Sequence, residues 1–222
     1  VLRRREVNLK PVRSRRLELD GHRLGVLRIT QFSEPVPQQV AQALRAFSGE
    51  SGGDQPIEGL VLDLRNNSGG LVQAGLAVAN TLLDGETIVA TEDRGGIQDR
   101  QQAGPGRLWD GPMLTLVNGG TASASEILAG ALQDDGRSPL VGARTFGKGL
   151  IQTLIPLGDG SGLAVTVARY LTPSGRDIQA VGIEPDQTLA APEPLNPGGS
   201  DDAWLEQAET LLVKRLEQPA TR

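Results

Sequence analysis

The apolar positions of this chain follow two repeats, one typical of strands and one typical of helices. Short apolar runs end at glycine, proline or Asp-Gly, and the Asp20-Gly21 pair between two such runs predicts a hairpin turn. Apolar residues three or four positions apart predict helices over 37–47, 72–83, 126–133 and 203–216. The predicted strands cover 17–19, 24–29, 59–64, 87–91, 113–117, 139–141, 150–157 and 163–171.

Two of these strands carry the main signal of the fold class. The strands at 59–64 and 113–117 are largely apolar, each ends in a glycine-rich turn, and a predicted helix follows each turn. This order indicates an α/β fold of βαβ-type units, in which reactive groups collect at the carboxyl ends of strands. The strands flanking 158–162 predict an additional β-hairpin. We interpret 93–111 as a long polar segment with glycine-containing breaks.

Length and composition limit the domain organisation. A chain of 222 residues can bury one good core, so we expect one main domain over 11–190. The alternating run at 6–10 stops at Pro11, and we interpret 1–10 as the remnant of an upstream module and the chain as a fragment. A segment rich in Pro, Gly and Ser precedes the last helix, so 191–222 are predicted to form a linker and a C-terminal amphipathic helix.

Charge and residue types exclude several classes of function. The net charge of −5 provides no general attraction for nucleic acid, and the arginines near the start of the chain favour a solvated face or a docking strand. No apolar run approaches the ~18 residues of a membrane span. The chain has no cysteine, which excludes disulfides and thiolate metal sites, and no His or carboxylate cluster has the spacing of metal ligands. We therefore expect no metal and no cofactor.

The turn after the strand 113–117 is the first candidate for chemistry. Tiny residues occupy most of 119–125, where they would let a substrate backbone approach the N–H groups at a helix start. Ser123 is a candidate nucleophile there, and Thr121 and Ser125 compete with it. Ser123 and Glu126 also match a capping box, which is a purely structural role, and the local pattern alone leaves both interpretations open.

A serine nucleophile needs a base, and the only imidazole, His22, lies in the predicted hairpin turn. Lys148, flanked by two glycines, is therefore the candidate base, and Gln152 is a polar residue four positions later in an apolar strand. The run 142–148 also matches the first seven positions of a phosphate-binding loop. Gly149 replaces the Ser or Thr of that motif and a strand follows it, so nucleotide binding is disfavoured. A plain turn lysine remains an alternative.

The turn after the strand 59–64 is the third candidate. Its sequence reads Asn66-Asn67-Ser68-Gly69-Gly70, and the glycine pair could supply an N–H to an oxyanion or simply form a tight turn. The residues of this segment leave both interpretations open.

Together, the three segments closely resemble the carboxyl-terminal processing peptidases, also called tail-specific proteases. The matching blocks are 62–70, 117–127, 145–149, 160–166 and 181–186. The resemblance implies a crotonase- and Clp-protease-like core. It also implies that Ser123 is the nucleophile and Lys148 the general base of a Ser-Lys dyad, with Gln152 orienting the lysine amine. The backbone N–H groups of Gly69 and Ala124 would form the oxyanion hole.

The resemblance further implies a serine endopeptidase that cleaves protein or peptide substrates with free C-termini and needs no cofactor. Such enzymes carry a PDZ module upstream of the core, and the implied compartment is the periplasm or the thylakoid lumen. Lys148 must be neutral to act as a base, so we expect it in a buried, apolar seat beside Phe146. Two alternatives are a crotonase-like acyl-thioester enzyme and a non-catalytic peptide-binding relic. The oligomeric state stays open.

Overall fold

A six-stranded sheet forms the centre of the protein in a computed structural model that describes residues 10–49, 55–190, 192–194 and 196–218. Its order is β1-β2-β3-β6-β7-β10, with β1 antiparallel to β2 and the remaining neighbours parallel. Parallel neighbours need crossovers between them, and helices supply most of these here. The strands are β1 (Val12–Leu19), β2 (His22–Ile29), β3 (Gly59–Asp63), β6 (Met113–Val117), β7 (Leu140–Gly142) and β10 (Gln187–Thr188).

A second, four-stranded antiparallel sheet has the order β5-β4-β9-β8. Its β8–β9 pair is the additional hairpin that the sequence predicts, and most of its side chains are exposed. The hairpin therefore projects from the core instead of packing into it. The strands are β4 (Thr87–Asp93), β5 (Gly96–Gln102), β8 (Leu150–Pro156) and β9 (Gly162–Leu171).

Helices cover both faces of the central sheet, because its inner strands are apolar on both sides. Within β3, Leu60 and Leu62 belong to one buried cluster while Val61 belongs to another. The first cluster packs against α1, α2 and α3, and the second packs against α4. Alternate residues of a strand face opposite sides, so this division follows directly from the strand geometry. The helices are α1 (Val36–Phe47), α2 (Val72–Ala79), α3 (Ala124–Asp134) and α4 (Ala203–Glu217).

The α/β fold class predicted from the sequence is confirmed. Asp20 and Gly21 both have positive φ, as a tight hairpin turn requires. The polar interpretation of 93–111 was wrong in part, because β5 lies there as an exposed edge strand paired with β4. The short strand β10 lies just before the predicted linker and was not predicted from the sequence. The predicted upstream strand at 6–10 lies outside the described residues, except for its last residue.

The part of the chain that the structure describes contains neither a membrane-spanning helix nor a metal-binding cluster. No helix there is both long and apolar enough to cross a membrane. No group of three or more His, Cys, Asp or Glu side chains in these ranges is arranged to hold a metal ion.

Candidate active site

The turns after β3 and β6 meet at one edge of the central sheet. The two strands are parallel neighbours, with Asp63 opposite Leu116, so their carboxyl ends lie side by side. In sheets of this kind the crevice beyond the carboxyl ends is where ligands bind. The structure thus brings together the two glycine-rich segments that the sequence singles out.

Ser123 occupies a strained turn between β6 and α3. Its backbone has φ 58° and ψ −120°, a conformation that non-glycine residues rarely adopt and that costs about 1–3 kcal/mol. Such a sharp strand-to-helix turn is the geometry that presents a nucleophilic serine above a sheet. The residue is half-buried. An outlier of this kind favours a functional role for Ser123.

The two competing hydroxyls are committed to the fold. The Thr121 hydroxyl donates to the Leu64 carbonyl oxygen at 3.0 Å, and the Ser125 hydroxyl donates to the Asn67 carbonyl oxygen at 2.9 Å. Both side chains are fully buried. They therefore tie the serine turn to the turn after β3, which leaves Ser123 as the accessible hydroxyl of the three.

Glu126 joins the serine turn to the lysine segment. Ser123 and Glu126 form a capping box, in which the Ser123 N–H donates to Glu126 Oε2 at 2.9 Å. The Lys148 N–H donates to the same oxygen at 2.8 Å. Oε1 accepts from the Gly147 N–H at 2.7 Å and from the Thr145 hydroxyl at 2.5 Å. One fully buried carboxylate thus holds the backbones of both candidate catalytic residues.

Sequence reasoning recognised Glu126 only as a cap. A carboxylate in the middle of an otherwise apolar or small-residue stretch must be satisfied by several donors when it is buried. That requirement was the available signal, but it does not reveal which distant segment supplies the donors.

The side chains of Lys148 and Gln152 are both exposed. Phe146 is 64% exposed, so the buried apolar seat expected for the lysine is wrong for this structure. Gln152 Nε2 lies 3.4 Å from Thr166 Oγ1 on β9. Among the described residues, no hydrogen bond joins the lysine amine to Ser123 or Gln152. The structure brings the backbones of Ser123 and Lys148 together, but it does not bring their side chains into contact.

A second loop holds the lysine segment from the other side. The Gly149 N–H donates to Gln179 Oε1 at 2.9 Å, and the Ala180 N–H donates to the Gly147 carbonyl oxygen at 2.9 Å. Gly147 has φ 89°, and a Cβ there would lie 2.8 Å from the Gly182 nitrogen, so only glycine fits. The block at 181–186 therefore has a structural role in positioning the segment around Lys148.

The two candidate oxyanion donors lie side by side but differ in availability. A Cβ on Gly69 would be 2.8 Å from Ser123 Cβ and 3.1 Å from the Ala124 nitrogen, which shows how closely the turn approaches the serine. The Gly69 N–H donates to Asn67 Oδ1 at 3.0 Å. Within the described ranges, no acceptor contacts the Ala124 N–H, which is the first amide of α3. The Ala124 N–H therefore has no protein acceptor in these ranges, whereas the Gly69 N–H is occupied by Asn67.

A buried ion cluster supports the turn after β3. Arg65, with no exposed surface, donates from Nε to Asp63 Oδ1 at 2.9 Å and from Nη1 to Asp202 Oδ1 at 2.8 Å. Burial alone would lower the pKa of Arg65, but its bonds to Asp63 and Asp202 outweigh burial and raise that pKa. Arg28 also binds Asp63. The bonds to Asp63 and Asp202 therefore hold Arg65 in its charged form. The sequence identified Asp202 only as a possible N-cap.

Comparisons with known proteins show what this chain is similar to. The model of peptidase family S41 matches residues 23–189. A carboxyl-terminal-processing protease of Picosynechococcus sp. is 46% identical over 211 residues, covering 94% of this chain and 50% of the relative. A chloroplastic C-terminal processing peptidase of Tetradesmus obliquus is 48% identical over 167 residues, covering 75% of this chain and 35% of the relative.

A solved structure has a matching fold as well. It is described as the photosystem II D1 C-terminal processing protease and aligns with a TM-score of 0.78 at 40% identity. The alignment covers 94% of this chain and 54% of that structure. The chain spans about half or less of the length of these relatives.

Proposed function

Because the chain belongs to peptidase family S41, we propose that it carries the catalytic core of a serine endopeptidase that cleaves proteins near their C-termini. The observation that supports this most directly is the Glu126 carboxylate. It binds the backbone N–H groups of Ser123 and Lys148 on one oxygen atom, beside a serine in a strained turn. A purely structural capping box would not need the lysine segment.

In the proposed reaction, the Ser123 hydroxyl attacks the scissile carbonyl carbon while the neutral Lys148 amine accepts its proton. The carbonyl oxygen becomes an oxyanion, stabilised by the N–H groups of Ala124 and Gly69. When the peptide C–N bond breaks, Lys148 returns the proton to the leaving amine. A water molecule then attacks the acyl-enzyme ester and gives its proton to Lys148, and the Ser123 oxygen leaves and takes that proton back.

Three changes must precede this chemistry. The Lys148 amine has to turn from solvent towards Ser123, and Gln152 has to approach it to orient it. The Gly69 N–H has to exchange Asn67 for the oxyanion. We propose that an extended substrate induces these changes by covering the lysine and excluding water, which strengthens the electrostatic interactions inside the site.

The substrates follow from the relatives' names. We propose that the protein acts on unstructured C-terminal tails in the periplasm or thylakoid lumen. The two relatives described above are cyanobacterial and chloroplastic, and the similar solved structure is described as the photosystem II D1 C-terminal processing protease. Recognition of the tail by an upstream PDZ module is part of this proposal and concerns the whole protein.

The decisive experiment compares Ser123→Ala with Ser125→Ala in the intact protein. Ser123→Ala should abolish hydrolysis of a free-acid peptide and labelling by a fluorophosphonate probe. Ser125→Ala should lose stability, because its hydroxyl bonds a buried carbonyl, but should still be labelled at Ser123. Labelling of Ser125, or peptide hydrolysis by a Ser123→Ala protein, would refute the assignment.

A non-catalytic peptide-binding protein is the second candidate. The exposure of Lys148 and Gln152 favours it, since a relic would have no reason to keep these side chains assembled. Failure of the probe to label the intact wild-type protein, together with tight binding of a free-acid peptide, would support the relic over the peptidase.

A further inference from the structure

A buried ion pair joins the start of the C-terminal helix to the edge of the sheet that carries the candidate site. Asp202, which is 2% exposed, binds Arg65 through both carboxylate oxygens at 2.8 and 2.6 Å. Arg65 lies two residues after the end of β3, although the two partners are 137 positions apart in the sequence. A bidentate carboxylate–guanidinium pair fixes orientation as well as distance.

Asp202 also begins α4, so it has two roles. Its Oδ1 accepts the Leu205 N–H at 3.0 Å, as an N-cap does, and its Oδ2 accepts the Gly198 N–H at 2.6 Å. With four donors the carboxylate is well satisfied. Burial by itself would raise the pKa of Asp202, but the hydrogen bonds from Arg65 and Gly198 outweigh it and keep that pKa below its ordinary value.

From Arg65 the chain runs directly into the turn at 66–70, which we call the oxyanion turn because it carries the proposed oxyanion donor Gly69. Asn66, the next residue, has φ 57° and exchanges two hydrogen bonds with Asn118 of the serine turn, at 2.8 and 2.7 Å. Asn67 follows and accepts the Gly69 N–H. Three residues therefore lie between Arg65 and the proposed oxyanion donor Gly69, and hydrogen bonds hold the first two, Asn66 and Asn67.

The segment before α4 touches the serine turn as well. Asn118 Nδ2 donates to the Glu193 carboxylate, nine residues before Asp202. Two residues near the C-terminus thus contact the two turns: Glu193 binds Asn118 of the serine turn, and Asp202 binds Arg65 just before the turn at 66–70.

We propose that Asp202 is a positioning residue: through Arg65 it sets the geometry of the turn at 66–70 and thereby the placement of the Gly69 N–H. Its meaning for catalysis rests on the proposed peptidase function. In this arrangement α4 packs on one face of the central sheet and influences the oxyanion turn through the Asp202–Arg65 contact.

The ordinary alternative is that Asp202 only stabilises the fold. The same helix offers a matched control for that alternative, because Glu209 of α4 binds Arg15 on the edge strand β1 at 2.5 Å. That ion pair also attaches α4 to the sheet but has no connection to the oxyanion turn.

The test compares Asp202→Asn with Glu209→Gln in the intact protein. Asparagine is as good an N-cap as aspartate, so Asp202→Asn can keep the bond to the Leu205 N–H while it removes the charge and one of the two acceptor oxygens that hold Arg65. We expect faster amide hydrogen exchange over 65–70 and at Asn118 in Asp202→Asn and not in Glu209→Gln. We expect kcat to fall at least about tenfold with KM unchanged in the first variant, because the oxyanion donor is misplaced, and to stay near wild type in the second.

Exchange rates over 65–70 that match wild type in a folded Asp202→Asn protein would overturn the proposal, and so would an equal loss of kcat in Glu209→Gln. If Asp202→Asn does not fold, Asp202→Glu keeps the charge on a longer side chain. It should lower kcat without changing KM, and wild-type kcat in that folded variant would overturn the proposal. Hydrogen exchange needs no activity, so its result stands apart from the Ser123→Ala test of the peptidase function.

Discussion

The turn that carries Ser123 and the hairpin that follows Lys148 belong to one candidate site, but they are packed very differently. Around Ser123, the hydroxyls of Thr121 and Ser125 and the carboxylate of Glu126 are all buried and hydrogen-bonded. Along β8 almost every side chain is exposed, and Leu154 is 75% exposed. The half of the candidate site that holds Ser123, the proposed nucleophile, and the turn at 66–70 is fixed by the core.

The other half of the candidate site has few buried contacts. It contains Lys148, the proposed base, and Gln152, which is proposed to orient the lysine amine. Segments of that kind open locally at low free-energy cost. The contrast teaches that the candidate site is half preorganised: folding sets the geometry of Ser123, whereas Lys148, the proposed base, would have to be brought to it. Glu126 lies on the boundary, because it holds the start of the lysine segment but not the lysine side chain. The predictions below test this division.

The largest loss of stability is expected from Glu126→Gln, which breaks the link between the two halves and also lowers activity. The amide can replace only one of the two acceptor oxygens, so buried N–H groups lose their partner and the free energy of unfolding should fall by about 2–3 kcal/mol. The displaced serine turn should also cost about a hundredfold in kcat/KM. Denaturant unfolding and peptide hydrolysis measure the two losses.

The matched control for this change is Glu206→Gln, an exposed position on α4. It removes the same charge without touching the site and should leave both quantities close to wild type. Equal effects in the two variants would mean that general charge, and not the Glu126 contacts, is responsible.

Lys148→Arg should lose activity as completely as Lys148→Ala without changing stability. Arginine keeps the positive charge but does not give up its proton, so it cannot act as a base. The melting temperature should stay constant, since the lysine side chain is exposed in the absence of substrate. Steady-state hydrolysis and thermal unfolding check the two halves of the statement. Substantial activity in Lys148→Arg would mean that the residue supplies only positive charge.

Gly69→Ala should destabilise the protein by more than the conformational cost alone. Both Gly69 and Gly136 have positive φ, but nothing lies within 4 Å of a Cβ on Gly136. Gly136→Ala should therefore cost about 1 kcal/mol of unfolding free energy. Gly69→Ala should cost clearly more and should lower kcat, because its Cβ would press against Ser123. Similar losses in both variants would contradict the close approach of the two turns.

The sequence predicted the parts of the molecule that local pattern controls. The strands β3 and β6 are apolar runs, α1 has helical spacing, and the Asp20-Gly21 turn has its own signature. The edge strand β5 escaped because, of its seven residues, only Ile97 is a large apolar side chain, so no alternation marks it. The helix predicted over 72–83 ends earlier, at Ala79, and tight turns continue to Leu83.

The same limit applies to the site. The serine turn and the glycine pair are contiguous motifs, and their proximity follows from parallel strands. The bonds of Glu126 to the lysine segment and of Asp202 to Arg65 join residues far apart in the chain, and no local pattern encodes such partners. The exposure of Lys148 could not be read from its flanking glycines, because these are required by the loop that packs on them.

The smallest effect expected concerns pH, and it separates Asp202, the N-cap of α4, from Glu209 within that helix. The pKa of Asp202 is held below its ordinary value of 3.8, so its contribution to stability is complete above about pH 4 and is lost as pH falls through the lowered value. Burial raises the pKa of Glu209 above its ordinary 4.5 despite the nearby Arg15. The folded state therefore holds that proton more tightly, and stability falls as pH rises from about 4.5 through the raised value.

Urea unfolding between about pH 3 and pH 7 separates the contributions of Asp202 and Glu209 to the free energy of unfolding. Asp202→Asn should flatten the curve on the acid side only, and Glu209→Gln should flatten it only above about pH 4.5, because each substitution removes one titrating group. Neither variant should alter the exposure of the β8–β9 hairpin, because no hydrogen bond or ion pair of the described residues joins that hairpin to α4. If the acid-side slope survived in Asp202→Asn, the ion cluster behind the oxyanion turn would not be the rigid element that distinguishes this half of the site.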